Sequence, residues 1–268
     1  MVAQDRKKPK WAVARERARK AAPETLWLFG LHAVRDALEN PAREKRRLIV
    51  TRNAADKLGD AIAAGGVEAE ISDARKFAAP LDPQSVHQGA ALEVKPLDWG
   101  SLQQCCAPTP ERPNPSVLLL DRVTDPHNVG AMLRSAEVFG AAAVIAPRHH
   151  AAPETGALAK SASGALERQP YLRVRNLGDA MQDLIGMGYR LIGLDGAAEQ
   201  ELGAVLDALE PGPMGLVLGA EGPGLRARTA SLCTTTARIT AAGAFGSLNV
   251  SNAAAVGLYA LHKISEKF

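Results

Sequence analysis

Residues 239–252 read Ile-Thr-Ala-Ala-Gly-Ala-Phe-Gly-Ser-Leu-Asn-Val-Ser-Asn and lead into an alanine-rich stretch. Gly243, Gly246 and Ser247 stand just before an expected helix start, where free N–H groups and small polar side chains can hold a polar ligand. Two other segments have the same grammar. Val117–Leu120 is an apolar run followed by Asp-Arg-Val-Thr-Asp-Pro-His-Asn-Val-Gly and then a helical pattern to Gly140. Leu216–Leu218 runs into Gly-Ala-Glu-Gly-Pro-Gly-Leu. All three put glycine and polar residues after an apolar strand, which is where open α/β sheets collect their ligands.

The elements that must carry these loops follow from periodicity. Strands are expected at 117–120, 143–146, 190–194, 215–218 and 237–240. Helices are expected at 130–139, 177–187, 225–233 and about 249–263, and residues 160–164 form a polar region. This alternation predicts a mainly parallel sheet covered on both faces, hence an α/β fold. Upstream, helix 30–38, strand 47–51, helix 56–64, strand 67–71, a short helix at 74–77 and strand 87–94 predict a smaller α/β domain. Residues 106–115 contain four prolines in ten positions, which excludes a helix or a central strand there. The expected organisation is a basic arm over 1–24, a small domain over 25–100, a proline-rich linker over 101–115 and a larger domain over 116–268.

Composition narrows the function classes. No run approaches 18 apolar residues and the N-terminus has no apolar core after its charges, so a membrane span and a secretory signal are both unexpected and a cytoplasmic location is expected. Cys105, Cys106 and Cys233 make a poor disulfide framework and lack zinc-ligand spacing; they are expected as reduced thiols. The net charge of +3 is unevenly spread. Residues 1–24 hold eight Lys/Arg against three acids, a surplus of five that leaves the rest of the chain at −2. Such an arm suits nucleic-acid backbones, although a solvated tail has the same composition. Arg43, Lys45, Arg46, Arg47 and Arg52 form a second basic group that is either an RNA-facing edge or ordinary strand-end charge.

The three segments, in this order, resemble the signature motifs of the SpoU (TrmH) branch of the SPOUT RNA ribose 2'-O-methyltransferases. The resemblance covers about residues 117–264. Residues 26–95, from Leu-Phe-Gly-Leu-His-Ala-Val to Val-His-Gln-Gly-Ala, also look like the substrate-binding domain of the members that methylate a guanosine of 23S rRNA. The resemblance implies a C-terminal trefoil knot in which the last helix threads a loop, overriding the ordinary expectation of untangled connections. It further implies S-adenosylmethionine as cofactor, RNA (23S rRNA) as substrate, a homodimer with the active site near its interface, and no metal.

By the same resemblance, the backbone around Gly219, Ile239 and Leu248 holds the cofactor, and Asn128, Arg134, Glu221, Ser247 and Asn249 are the catalytic positions. Arg134 matches the motif arginine. Guanidinium stays protonated, so its physically sound role is to bind the target phosphate or stabilise the developing alkoxide. Glu221 is expected to orient Arg134 or Asn128, while Ser247 and Asn249 position arginine and ribose. Helix capping is the bland role for Asn249. Thr240-Ala241 stands where family members often have Pro-Met, which bears on pocket shape. Asp121, Asp125 and His127 are turn residues on this reading rather than metal ligands. Two rivals are a tRNA 2'-O-methyltransferase of the same fold and a non-catalytic RNA-binding ribosome-assembly factor.

Overall fold

A computed structural model describes residues 25–243 and 248–265. The basic arm, Gly246 and Ser247 lie outside the described residues. The N-terminal sheet contains β1 (Leu26–Phe29), β2 (Lys45–Val50), β3 (Ala69–Ile71) and β4 (Ala90–Val94) in the order β1-β4-β2-β3. β4 runs antiparallel to both β1 and β2, and β3 runs parallel to β2. Helices α1 (Leu31–Glu39) and α2 (Arg52–Gly65) cover it, burying Val34, Leu38 and Leu58 against Leu28, Leu48, Val50 and Leu92. Thr51 starts α2 by accepting the Ala54 N–H at 3.3 Å, and Gly66, at φ 64°, ends it in the left-handed region that glycine tolerates.

The second sheet is wholly parallel, with the order β10-β8-β9-β5-β6-β7. Its strands are β5 (Ser116–Asp121), β6 (Ala143–Pro147), β7 (Tyr171–Val174), β8 (Arg190–Leu194), β9 (Met214–Gly219) and β10 (Thr235–Ala237). The central pair, β5 and β9, is apolar on both faces because both faces are covered. On one face Leu118, Leu120, Val144, Leu216 and Leu218 pack under α4 (Pro126–Val138), α5 (Gly156–Ala162), α7 (Leu202–Asp207) and α9 (Val250–Ser265). On the other, Val117, Leu119, Ile145, Leu191 and Val217 meet α6 (Leu177–Gly186), Tyr189 and Cys106. A short α8 (Ala227–Ser231) follows the β9 loop. Gly257 lets α9 lie close on β9, since a Cβ there would stand 2.5 Å from Leu216 Cδ2.

Several expectations are corrected. Residues 102–106, expected as linker, form helix α3 (Leu102–Cys106), because Ser101 and Gln104 make a reciprocal capping box upstream of the prolines. Residues 74–77 are a turn: Asp73 Oδ1 takes the Arg75 N–H at 2.7 Å and Ser72 Oγ takes the Ala78 N–H at 3.1 Å, so local side chains capture the amides a helix would need. Strands β1 and β7 and helices α5 and α7 were not anticipated from periodicity.

The two sheets share one core. A Cβ on Gly156 of α5 would meet Trp27 O at 2.3 Å and the Phe29 ring at 2.5 Å, so β1 and α5 are in close backbone contact. Beside them the Arg43 guanidinium, 2% exposed, pairs with Glu154 at 3.0 Å and Glu167 at 2.7 Å and donates to Lys95 O. Arg43 is therefore an internal strut and not part of an RNA-facing edge. Arg46 and Arg47 pair at the surface with Glu44 and Glu70, and Lys45 donates to Asn40 O at 2.8 Å.

Candidate active site

Three loops at the C-terminal ends of the parallel strands build the site. Asp125 caps α4 by accepting the His127 N–H at 3.0 Å, with Pro126 in the first turn, and this places Asn128 one residue later on the helix's opening turn. Asp121 ends β5 fully buried and accepts both the backbone N–H of Arg226 at 3.1 Å and its Nε at 2.7 Å. That carboxylate therefore ties the end of β5 to the end of the β9 loop, which fits neither a free turn residue nor a metal ligand.

The β9 loop doubles back at once. Gly224 N–H donates to Ala220 O at 3.0 Å, and Gly222 and Gly224 sit at φ 84° and 68°. A Cβ on Gly219 would stand 2.1 Å from Gly224 C and 2.4 Å from Leu225 N, so only glycine permits this fold-back. Glu221 is thereby held at the loop tip.

Asn249 starts α9. Its Oδ1 accepts the Ser251 N–H at 2.9 Å, and its carbonyl accepts the Ala253 N–H at 3.0 Å. Its Nδ2 donates in the other direction, to Glu221 Oε1 at 2.8 Å and Asn128 Oδ1 at 3.0 Å. Glu221 Oε1 also accepts from Val250 N at 3.3 Å and from Asn128 Nδ2 at 3.5 Å. Asn249 thus caps and cross-links at the same time. The structure brings Asn128, Glu221 and Asn249 into one hydrogen-bonded cluster, from positions 93 and 28 residues apart along the chain.

Arg134 lies farther along α4 and is exposed. Among the described residues it makes no hydrogen bond or ion pair, so its guanidinium is free to meet a ligand. Glu221 orients Asn128 and Asn249 here, not Arg134.

Next to the cluster is a cavity of about 270 Å³. Gly219, Glu221, Ile239 and Leu248 line it together with Leu194, Asp195, Gly196 and Ala253. Its walls are apolar at Leu194, Leu218, Ile239 and Leu248 and polar at Asp195 and Glu221, which matches a ligand having both a flat apolar part and a hydroxylated part. The β8 end, Leu194-Asp195-Gly196, was missed from sequence although it repeats the pattern of apolar strand, acid and glycine used for the other loops.

Comparisons with known proteins agree with this layout. Residues 115–259 match the SpoU rRNA Methylase family, and residues 27–99 match the family described as RNA 2'-O ribose methyltransferase substrate binding. A 23S rRNA (guanosine-2'-O-)-methyltransferase RlmB of Pseudomonas putida is 34% identical over 236 residues, covering 87% of this chain and 94% of that protein. A Ralstonia nicotianae protein of the same name is 38% identical over 236 residues, covering 87% and 93%. Among solved structures, the SpoU methyltransferase AviRb of Streptomyces viridochromogenes, in complex with the cofactor AdoMet, superposes with a TM-score of 0.74 at 25% identity, covering 94% of this chain and 93% of that one.

Proposed function

This chain belongs to the SpoU rRNA Methylase family, and from that premise we propose that it transfers a methyl group from S-adenosylmethionine to the ribose 2'-hydroxyl of a guanosine in 23S rRNA. The observation that carries the proposal is the Asn128–Glu221–Asn249 cluster at the edge of a cavity whose floor only glycine allows. The cofactor supplies an electrophilic methyl group. Gly219, Ile239 and Leu248 hold it through backbone and apolar surface, and Asp195 can accept hydrogen bonds from its ribose.

The protein's own work is orientation and charge. Glu221 fixes the carboxamides of Asn128 and Asn249, so that their polar edges are set before RNA arrives. Arg134, free among the described residues, binds the target phosphate or stabilises the alkoxide that develops on the 2'-oxygen. Ser247, outside the described residues, is assigned to hold Arg134 and the ribose. These roles extend the motif match to named residues.

Further parts of the proposal concern assembly. Three loops and α9 converge on one cavity, which supports a trefoil knot in which the last helix threads a loop. A second copy of the chain is the proposed cover for the outer faces of α4 and α9. Val138, Val256 and Tyr259 there are 71%, 44% and 51% exposed, and the Tyr259 ring leans on Phe139 at 5.7 Å between centroids. A basic arm over 1–24, a small domain over 25–100 and a larger domain over 116–268, joined by a segment that includes α3, are proposed with a cytoplasmic location. Among the described residues no helix is long and apolar enough to cross a membrane.

The test is transfer of labelled methyl from S-adenosylmethionine to 23S rRNA and, separately, to bulk tRNA, with products assayed for alkali-resistant dinucleotides. Label confined to 23S rRNA is expected. Label on tRNA alone would move the substrate, and no transfer to either would leave the RNA-binding assembly factor.

A further inference from the structure

On the opposite side of the sheet crest from the cofactor cavity lies a second cleft, of about 680 Å³. Its lining includes His149 and His150 after β6, Arg175 between β7 and α6, and Arg226 and Arg228 at the start of α8. Among the described residues the only acid in the lining is Asp179, whose carboxylate is 3.5 Å from Arg228 with both side chains about two-thirds exposed. Such a pair leaves most of the cationic charge available.

Arg226 is the cation the fold positions most firmly. Arg226 is anchored through its backbone N–H and Nε to buried Asp121, which leaves its two terminal amino groups directed elsewhere. Arg175 has no hydrogen-bond or ion-pair partner among the described residues and is exposed. His150 is held at φ 61°, a left-handed conformation that a non-glycine residue adopts at some cost and that is enriched at functional loops. Of the five cationic or imidazole groups facing the cleft, Arg226 meets buried Asp121 and Arg228 meets exposed Asp179, while His149, His150 and Arg175 have no side-chain partner among the described residues.

The cleft is also linked to the site through the loop after β9. The strand order places the cofactor cavity over the ends of β10, β8 and β9 and the cleft over the ends of β6 and β7, with β5 between. Arg122, exposed at φ 65°, follows the end of β5 on that dividing crest. The loop from Gly219 lines the cavity where it starts and reaches the cleft at Arg226.

The geometry points to this cleft as a phosphate-anchoring site for the RNA strand flanking the target nucleotide, with Arg175, Arg226 and Arg228 taking phosphodiester oxygens and the two imidazoles donating to sugar or base edges. This rests on the reading of the protein as an RNA 2'-O-methyltransferase. Phosphate contacts of this kind fix register and carry no sequence preference, so the site positions the strand while the N-terminal domain and the active site select the nucleotide. Arginine suits it because its planar fork matches phosphate oxygens in pairs.

The test compares the full chain with Arg175→Gln/Arg228→Gln, both at exposed positions outside the cofactor cavity. Binding of a 23S rRNA transcript and of a single-stranded RNA 20-mer is titrated from low to high salt, S-adenosylmethionine affinity is measured by calorimetry, and methyl transfer to the transcript is followed. Losing two single-strand phosphate contacts should flatten the slope of log K against log salt by about 1.4 and weaken RNA binding roughly tenfold at low salt. KM for RNA should rise while S-adenosylmethionine affinity stays within twofold. An unchanged slope in a variant that still binds the cofactor would overturn the site and leave the proposed reaction standing. A flattened slope in a protein that transfers no methyl group would sustain the site and overturn the reaction.

Discussion

Glu221 Oε1 and Asn249 Nδ2 meet at 2.8 Å across two loops, and that bond helps to join the turn after β9 to the start of α9. The same carboxylate oxygen also takes the Val250 N–H and faces Asn128 Nδ2. Removing it with Glu221→Ala leaves two carboxamides unoriented at the cavity edge. We expect kcat for methyl transfer to fall about a hundredfold, the size of losing one preorganised polar contact, while the melting temperature changes little because Glu221 is exposed. Single-turnover kinetics and a thermal melt check both.

Arg134→Ala should abolish transfer while leaving S-adenosylmethionine affinity within a few fold, since Arg134 does not line the cavity. Arg134→Lys should restore only a minor part of the rate, because an ammonium lacks the guanidinium fork. A fully active alanine variant would refute the assigned role.

Gly219→Ala places a methyl group 2.1 Å from the Gly224 carbonyl carbon, where backbone rather than a movable side chain stands in the way. The loop must unfold locally to admit it. Calorimetry should show cofactor binding weakened by at least an order of magnitude, whereas Gly59→Ala, in an open position on α2, should be silent.

Arg43→Ala leaves Glu167 buried, with a side chain only 3% exposed, and without its cation. Breaking a buried pair in this way costs about 3–5 kcal/mol. Arg47→Ala, which loses an ion pair to Glu70 at a site where both side chains are about half exposed, should change stability far less. Urea unfolding of the two variants separates the cases.

Burial pushes the Cys106 thiol up to about 12, and the neighbouring Cys105 adds to the shift. An unfolded chain ionises this thiol near the ordinary value of about 8.5, so between that pH and about 12 the unfolded state holds fewer protons than the folded one. Stability should therefore fall as pH rises through this window, and Cys106→Ser should lessen the fall. At pH 8, iodoacetamide should leave Cys106 unmodified until the protein is unfolded, as peptide mass mapping would report.

What the sequence made legible was the repeated strand–glycine–acid grammar. The apolar runs Val117–Leu120 in β5 and Leu216–Leu218 in β9 are uninterrupted, and the loops after them could be read directly. α5 and α7 were obscure because each is short, seven and six residues, and their start signals, Thr155 and Glu201, lie among other polar residues. β1 was hidden because four residues beside the basic arm give too little alternation to register. The Asn128–Glu221–Asn249 cluster could be inferred only as three separate motif positions; that Glu221 orients the two asparagines and not Arg134 depends on how the β9 loop folds back, a long-range fact without a local signal. Arg43 misled for a related reason. Its neighbours Arg46 and Arg47 are surface charges, and nothing local marks that Glu154 and Glu167 will arrive from 111 and 124 residues away.

The close contact of Gly156 with Trp27 and Phe29, beside the Arg43 strut, bears on how the protein unfolds and how it can be rebuilt. Because β1 and α5 exclude even a methyl group between them, neither half can melt without exposing apolar surface and stripping partners from buried charges in the other. A single cooperative transition is the consequence, not the two-step unfolding that a proline-rich junction would ordinarily allow. A chimera that grafts a relative's first hundred residues onto this catalytic half would need a first strand that fits the α5 surface and an arginine to meet both glutamates.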